Sequence, residues 1–568
     1  MSSSSEAGRP ARLGSGAEGA ARLLWGVAAI GLLGGIVFRV IGESVPALWF
    51  FTAMAVAVAL VLPMPLALVS PLYVGLAGWV VDMLPFVMLA GWIAVSVRWV
   101  VGLLKERRLP RGGRWIWLPI GLVFWTGLGA LVITSKDFKH FLLLFGIQLV
   151  SSAAILMAVD QLGDLRDRSR TAAGLVLFTI VLSVGVGLEY VGVPIQELQD
   201  DTASRRIEEA YGVDAFPNNI GMIKYARSSK AGSLELRREL LALQKRETGI
   251  PDFVVFQPKF RAFENQLVVR FSGSARDFRR ALAEEHVGLR FDNVGLAPAN
   301  LVPRLRSFPR NALTYAGLCA ALAPVAFFFA WTGDGRRRWL GRLGVAACLF
   351  GAAFSLARGA WAALALAVGY LLIDGVVTGR RKLQIVGAYL IAALLFTGFF
   401  LVKYGVDPLN ARAGGEASVA TRSDLYEETV DTVDGKYLIL GFGTEKPRTE
   451  SGTVKEGNKY VPRAGTHSTY LNYLFRTGIP GALALMALYA IAGVHARAAS
   501  RQKEGEERTF STLIAACVVV AAAHGLILSL YVEPVYTLTI SLVMGLAMAG
   551  ATALPRSVFP WRANRRTA

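Results

Sequence analysis

The stretch RDRSRTAAGLVLFTIVLSVGVGLEYVGV, Arg166 to Val193, decides the fold. Its opening RDRSR carries three arginines, and the run from Ala172 onward is almost wholly apolar. As an α-helix, the 22 residues from Ala172 to Val193 rise about 33 Å, enough to cross about 30 Å of hydrocarbon. A short basic cluster leading into an apolar run of that length specifies a membrane span whose first end stays in the cytoplasm.

The same pattern recurs along nearly the whole chain. Apolar runs of span length lie near 23–41, 46–62, 64–81, 84–104, 115–134, 140–160, 172–193, 312–331, 339–357, 359–378, 383–403, 479–497, 510–531 and 534–553, roughly fourteen spans in all. Composition agrees: mean hydropathy is +0.46, and 54% of residues are apolar against 18% charged, outside the usual balance of a soluble domain. The fold class is therefore an all-α polytopic membrane protein of about 14 transmembrane helices, with a small extracytoplasmic α+β insertion described below.

Orientation follows from lysine and arginine in the short connections. KERRLPRGGR (Lys105 to Arg114), RDRSR, GRRRWLGR (Gly335 to Arg342), GRRK (Gly379 to Lys382), RAASRQKEGEER (Arg497 to Arg508) and the terminal RANRR fall on one side of the count. That side is the cytoplasm, so both termini are inside and segments 194–311 and 404–466 are outside. The formal net charge of +19 is then largely topological, and no folded basic face suggests nucleic acid as a partner. Membrane lipids are the surroundings this composition demands.

Residues 1–22 read as a disordered cytoplasmic tail of Ser, Gly, Ala and Arg. The first apolar run is of full span length and is expected to remain as an anchor. An N-terminal bundle of about seven spans occupies 23–193, an extracytoplasmic module 194–311, further spans 312–403, a second outer loop with short helices 404–478, the last spans 479–553, and a cytoplasmic tail 554–568. Cys319, Cys348 and Cys517 all fall inside spans, where a thiol behaves as a small apolar side chain, and no Cys or His spacing suits a metal.

The module 194–311 has a mixed pattern. Helices are expected over Ile195–Tyr211, Leu234–Arg246 and Ser274–Glu285, and strands at Asp252–Phe256, Asn265–Phe271 and Val287–Phe291. Its acids are scattered, as on a solvated surface rather than in a glycosidase-like pair.

The second outer segment carries more chemistry. In SVATRSDLYEETVDTVDGKYLILGFGTEKPR (Ser418 to Arg448), Thr421 and Asp424 form a capping-box pattern ahead of a short amphipathic helix. Arg422 then sits at the helix start, where a cation opposes the dipole. It is either a solvated arginine or part of an anion site, in which free backbone N–H groups and a guanidinium act together. Arg310-Asn311 opens the span at 312–331, and Arg358 stands in the tight outer turn SLARGAW (Ser355 to Trp361). Both lie at the outer boundary, where snorkelling toward headgroups competes with anion binding.

AGTHSTYLNYLFRTGIPG (Ala464 to Gly481) places His467 ahead of a helical pattern that breaks at Gly478, Pro480 and Gly481. With Thr466 as N-cap, a helix from His467 puts Tyr470, Leu471 and Leu474 on the histidine's face, and the positive helix start favours a neutral imidazole. Arg476, about 180° round that helix, is left out of the site. His467 is either a proton acceptor or a buried histidine satisfied by a neighbour. His524, within VVAAAHGLILS, reads as an interhelical hydrogen bond.

These motifs, in this order, resemble the conserved core of the O-antigen ligase and polymerase superfamily: R-G-A-W from Arg358, T-R-S-D followed by L-I-L-G-F-G (Leu438 to Gly443), and G-T-H-S-T-Y-L…F-R-T-G-I-P-G before another span. The likeness covers roughly 305 to 500, including Arg310-Asn311. Ser468 follows the histidine where many relatives have Asn, and the module at 194–311 is larger than usual for the family. The resemblance implies a polyprenyl diphosphate-linked glycan as donor and a glycan or glycolipid as acceptor, with no cofactor and no metal. It implies His467 as general base, with Arg310, Arg358 and Arg422 on the departing diphosphate and Asn311, Asp424 and Tyr470 as positioning groups. Polymerase and ligase remain two readings, with polymerase favoured by the G-F-G-T-E-K-P…G-T-H-S pattern. A transporter or flippase for an anionic lipid-linked glycan is the rival, and it would require charges at mid-membrane positions.

Overall fold

The computed structural model describes residues 15–41, 43–80, 84–111, 113–132, 138–191, 220–224, 242, 253–256, 266–271, 307–308, 312–374, 379–404, 433, 435–441, 453–456, 459–462, 468–527 and 533–550. The helices are α1 (Ser15–Ile41), α2 (Ser44–Val61), α3 (Met64–Ala67), α4 (Ser70–Val80), α5 (Leu84–Glu106), α6 (Trp117–Val132), α7 (Phe138–Gln161) and α8 (Leu165–Tyr190) in the first half. After the outer module come α9 (Ala312–Thr332), α10 (Gly335–Phe354), α11 (Arg358–Asp374), α12 (Arg380–Tyr404), α13 (Gly435–Leu440), α14 (Thr469–Gln502), α15 (Gly505–Ile527) and α16 (Pro534–Ala549).

Among the described residues seven helices, α1, α5, α8, α9, α12, α14 and α15, are long and apolar enough to cross a membrane, and four shorter ones are apolar. The protein is thus a helical multi-pass membrane protein. Every apolar run named from sequence coincides with helix, but the run at 64–81 is two pieces. Pro63, Pro65 and Pro71 remove backbone donors there, Ser70 instead bonds the Ala67 carbonyl at 3.0 Å, and the 11 residues of α4 rise only about 16 Å.

Small residues build the interior, as expected where helices pack without help from water. Burial takes in 78% of the apolar window of α9 and 72% of that of α15, against 17% for α1 and 11% for α12. The first two are therefore the hub, and the last two are the least enclosed by the described protein. α9 packs against α10, α15, α11 and α8, and α15 packs against α14 and α11. Some polar side chains inside are paired across helices: Ser183 on α8 meets the Tyr315 hydroxyl of α9 at 2.6 Å and donates to the Ala347 carbonyl of α10 at 3.1 Å.

The basic connections are fastened to the bundle rather than merely solvated. Asp160, with its side chain fully buried, accepts a bidentate pair from Arg108 at 2.6 and 3.1 Å, the Trp99 indole at 2.9 Å and the Arg111 backbone at 2.8 Å. Arg168 pairs with Glu507 and lies 5.7 Å over the Phe510 ring. Arg497 approaches Asp374 at 3.7 Å, and Arg98 donates to the last carbonyls of α2, at Leu62 (2.6 Å) and Leu60 (3.1 Å).

Two antiparallel sheets lie outside the bundle sequence. β1 (Ile220–Lys224), β2 (Phe253–Phe256) and β3 (Gln266–Phe271) have the order β1-β3-β2, with Ile220 opposite Arg270 and Phe253 opposite Phe271. β2 and β3 meet the expected strands. β1 was not expected, because its short run contains a glycine and shows no alternation. The expected strand at Val287–Phe291 and the three expected helices lie outside the described residues, apart from Ala242. β4 (Thr453–Glu456) and β5 (Lys459–Pro462) form a hairpin, with Glu456 opposite Lys459. Gly457-Asn458 connects them, a pair suited to two-residue turns. The segment 404–478 is therefore not built of short helices alone.

α14 is the element that positions the site. Its 34 residues would extend about 51 Å as one rod, far more than a crossing needs. The helix breaks at Gly478, whose φ of 69° and ψ of −174° are not helical, and Pro480 lacks the donor that would bridge the break. The broken backbone is held by partners: the Trp125 indole of α6 donates to the Thr477 carbonyl at 3.0 Å, and the Thr477 hydroxyl to the Tyr473 carbonyl at 2.6 Å.

α13 closes against this break. A Cβ at Gly478 would lie 2.2 Å from the Ile439 carbonyl oxygen, and one at Gly441, with φ of 68°, would lie 2.3 Å from the Arg476 carbonyl carbon. Each glycine is left-handed, and each yields its side-chain space to the other segment's backbone. L-I-L-G and F-R-T-G thus meet main chain to main chain.

Gly478→Ala is expected to destabilise the protein by about 2 to 4 kcal/mol, combining left-handed strain with overpacking. Gly493→Ala on the same helix has its nearest neighbour at 3.8 Å and should be neutral or stabilising by up to about 1 kcal/mol. Melting in detergent compares them, and equal behaviour of the two variants would refute the lock. At the basic end, Asp160→Asn should cost about 1 to 3 kcal/mol, because the buried carboxylate that accepts from Trp99, Arg108 and the Arg111 backbone becomes an amide with one acceptor oxygen. A variant melting with the wild type would show that cluster to be dispensable.

Candidate functional site

The first turn of α14 is clamped onto the last turns of α15. Ser468 is its N-cap, in extended geometry, and accepts from the Leu471 N–H at 3.5 Å. Its hydroxyl also reaches the Gly525 carbonyl at 3.4 Å. The Tyr470 hydroxyl donates to the Ala522 carbonyl at 2.9 Å, and its ring stands edge-on to Tyr489. A Cβ on Gly525 would touch Tyr470 at 3.4 Å and Thr469 at 3.5 Å.

The cap corrects the sequence reading, which gave that role to Thr466. The helix begins at Thr469, and Thr466 and His467 lie outside the described residues. Serine wins because its short hydroxyl turns back to the third helical N–H.

Arg358 is the first residue of α11 and is exposed. It follows a tight turn in which Leu356 takes φ of 51° and the Ser355 hydroxyl donates to the Ala352 carbonyl at 3.1 Å. A Cβ on Gly359 would lie 3.8 Å from Ile527 and 3.9 Å from the His524 Nε2. The starts of α11 and α14 therefore abut the same end of α15. The structure brings the segments of Arg358 and Tyr470 together there, with Ser468, the residue after His467. His467, Arg310, Asn311, Arg422 and Asp424 lie outside the described residues.

His524 departs from its sequence reading. It is 1% exposed, yet neither ring nitrogen has a hydrogen-bond partner among the described residues. In place of the expected interhelical bond, the ring packs against Tyr536, with centroids 6.1 Å apart. The Tyr536 hydroxyl is buried without a partner as well.

The rest of α14's first segment is fixed to α7, where Tyr473 donates to the Gln148 carbonyl oxygen and Gln148 donates to Ser152 at 3.2 Å. On this segment Arg476 Nη1 and Asn472 Oδ1 are buried with no hydrogen-bond partner among the described residues. Sequence reasoning set Arg476 aside by measuring its angle from His467 on one helix, and the helix does not contain His467. The signal available was the arginine itself, a charged residue within an apolar helical run. Among the described residues no three His, Cys, Asp or Glu side chains gather closely enough to hold a metal ion.

With this geometry in hand, comparison with known proteins places the motifs. No curated protein sequence matches the chain. The family model described as O-antigen ligase matches residues 343–486. The matched stretch runs from within α10 through α11, α12 and α13 to α14, past the Gly478 break. It contains Arg358, Arg422, Asp424, His467 and Tyr470, while Arg310 and Asn311 precede it. Over these residues the chain is similar to O-antigen ligases.

Proposed function

We propose that the protein is a polysaccharide polymerase that transfers a glycan from a polyprenyl diphosphate-linked donor to an acceptor sugar hydroxyl. Transfer takes place at the outer face of the bacterial cytoplasmic membrane, in a chain of fourteen crossings with both termini inside and the α+β module outside. Outside the membrane there is no nucleotide sugar, and a lipid diphosphate supplies its own anionic leaving group. The observation that supports this most is the meeting of the Arg358 helix start with the residue after His467 at one end of α15, within the O-antigen ligase domain.

In this reading His467 takes the proton of the acceptor hydroxyl as general base. The acceptor oxygen attacks the anomeric carbon, whose bond to the diphosphate oxygen breaks with inversion. The polyprenyl diphosphate leaves with the electron pair. Arg310, Arg358 and Arg422 stabilise the charge growing on it, the term that usually contributes most. Asn311, Asp424 and Tyr470 position the reacting groups. The mechanism needs no metal or cofactor. The domain's name favours a second reading, in which the finished glycan passes to a terminal lipid, protein or wall acceptor.

A reconstituted enzyme given only lipid-linked repeats should produce a ladder of products. A single transfer that requires a separate acceptor would establish the ligase reading, and translocation with no new glycosidic bond a transporter. His467→Ala should lower transfer by about 10²- to 10⁴-fold in folded protein. Arg422→Lys, which exchanges a planar fork for a point charge, should lower it by about ten-fold or more. Normal turnover in either variant would remove that residue from the site.

A further inference from the structure

Several partly buried arginines among the described residues have visible partners. Arg98 holds helix-end carbonyls, Arg108 holds Asp160 and Arg168 holds Glu507. Arg476 does not follow them. Its neighbours in the chain, Phe475 and Thr477, are buried, and its Nη1 is shut off from solvent with no hydrogen-bond partner among the described residues. One turn earlier, on the same face, the Asn472 Oδ1 is buried and unpartnered too. Both residues are otherwise half-buried.

A buried guanidinium without a partner is costly, the more so in a helix that crosses a membrane. Local structure gives it no compensation. Its helix is already fixed by Tyr470, Tyr473, the Trp125 bond and the glycine contact with α13. The pair offers complementary chemistry: a planar donor fork that fits phosphate oxygens, and beside it an amide oxygen that accepts from a hydroxyl. A ligand satisfying both is a phosphate ester joined to a hydroxyl-bearing ring.

We infer that Arg476 and Asn472 form an anion subsite holding the phosphate–sugar junction of the lipid-linked glycan. This rests on the proposed function for the identity of the ligand, while the subsite itself rests on the two unpartnered groups.

The test uses the full chain in detergent, with melting temperature as the readout and farnesyl diphosphate and inorganic diphosphate as probes. Without ligand, Arg476→Gln should melt at or above the wild-type temperature, because it removes a charge that nothing offsets. A drop of several degrees, or failure to fold, would make Arg476 a structural residue and overturn the subsite. With ligand, farnesyl diphosphate should stabilise the wild type, and Arg476→Gln should raise the half-saturating concentration by about ten- to a hundred-fold, with Arg476→Lys in between. Equal response of Arg476→Gln and wild type, or no response of the wild type to either probe, would also overturn it. If inorganic diphosphate stabilises the wild type as well as the farnesyl ester does, and Arg476→Gln abolishes both effects, the anion subsite stands. The lipid-linked donor would then be the part that fails.

Discussion

The break in α14 at Gly478 is the constraint on which the rest of the molecule depends. A helix in hydrocarbon keeps its backbone groups bonded internally, and this one gives up part of that bonding in the middle of its length. Contacts with α6 and α13 compensate. What the break achieves is a division of labour: the long segment after it is a crossing, while the short segment before it, from Thr469 to Thr477, is free to take its direction from neighbours. Those neighbours are α15, α7, α6 and α13, so the segment is held on several sides at once.

Site geometry follows from that arrangement. With its first turn tied to Gly525 and Ala522, α14 begins where α15 ends, and α11 begins at the same place. Chain segments far apart in sequence thereby deliver their first residues to one locality. For a reaction in which charge moves onto a diphosphate, such delivery is the main contribution a protein can make, since donors fixed in advance need not reorganise when the charge appears.

Much of this was legible in the sequence, and the divisions are physical. Apolar runs of span length showed where helices form, because the bilayer fixes their length, though proline positions at 63, 65 and 71 broke one run in two. The motifs L-I-L-G and F-R-T-G-I-P-G were visible, and their glycines marked a break. That the two pack against each other was not, because a backbone contact between distant segments leaves no periodicity. The Ser468 cap was missed in favour of Thr466, since both residues suit the role and the α15 surface decides between them. Arg476 was dropped through a helical-wheel angle measured from the wrong first residue. His524 was expected to make a bond that its packing against Tyr536 does not provide. His467, Arg310, Asn311, Arg422 and Asp424 remain sequence assignments supported by the family domain and by where their described neighbours lie.

The most direct measurement is an experimental structure of the protein with a polyprenyl diphosphate bound. The account predicts the guanidiniums of Arg310, Arg358 and Arg422 on the diphosphate oxygens at hydrogen-bonding distance, about 2.7 to 3.2 Å, with the His467 imidazole facing the same pocket beside the end of α15. A diphosphate bound elsewhere, or these side chains turned toward lipid and separated by tens of ångströms, would contradict it.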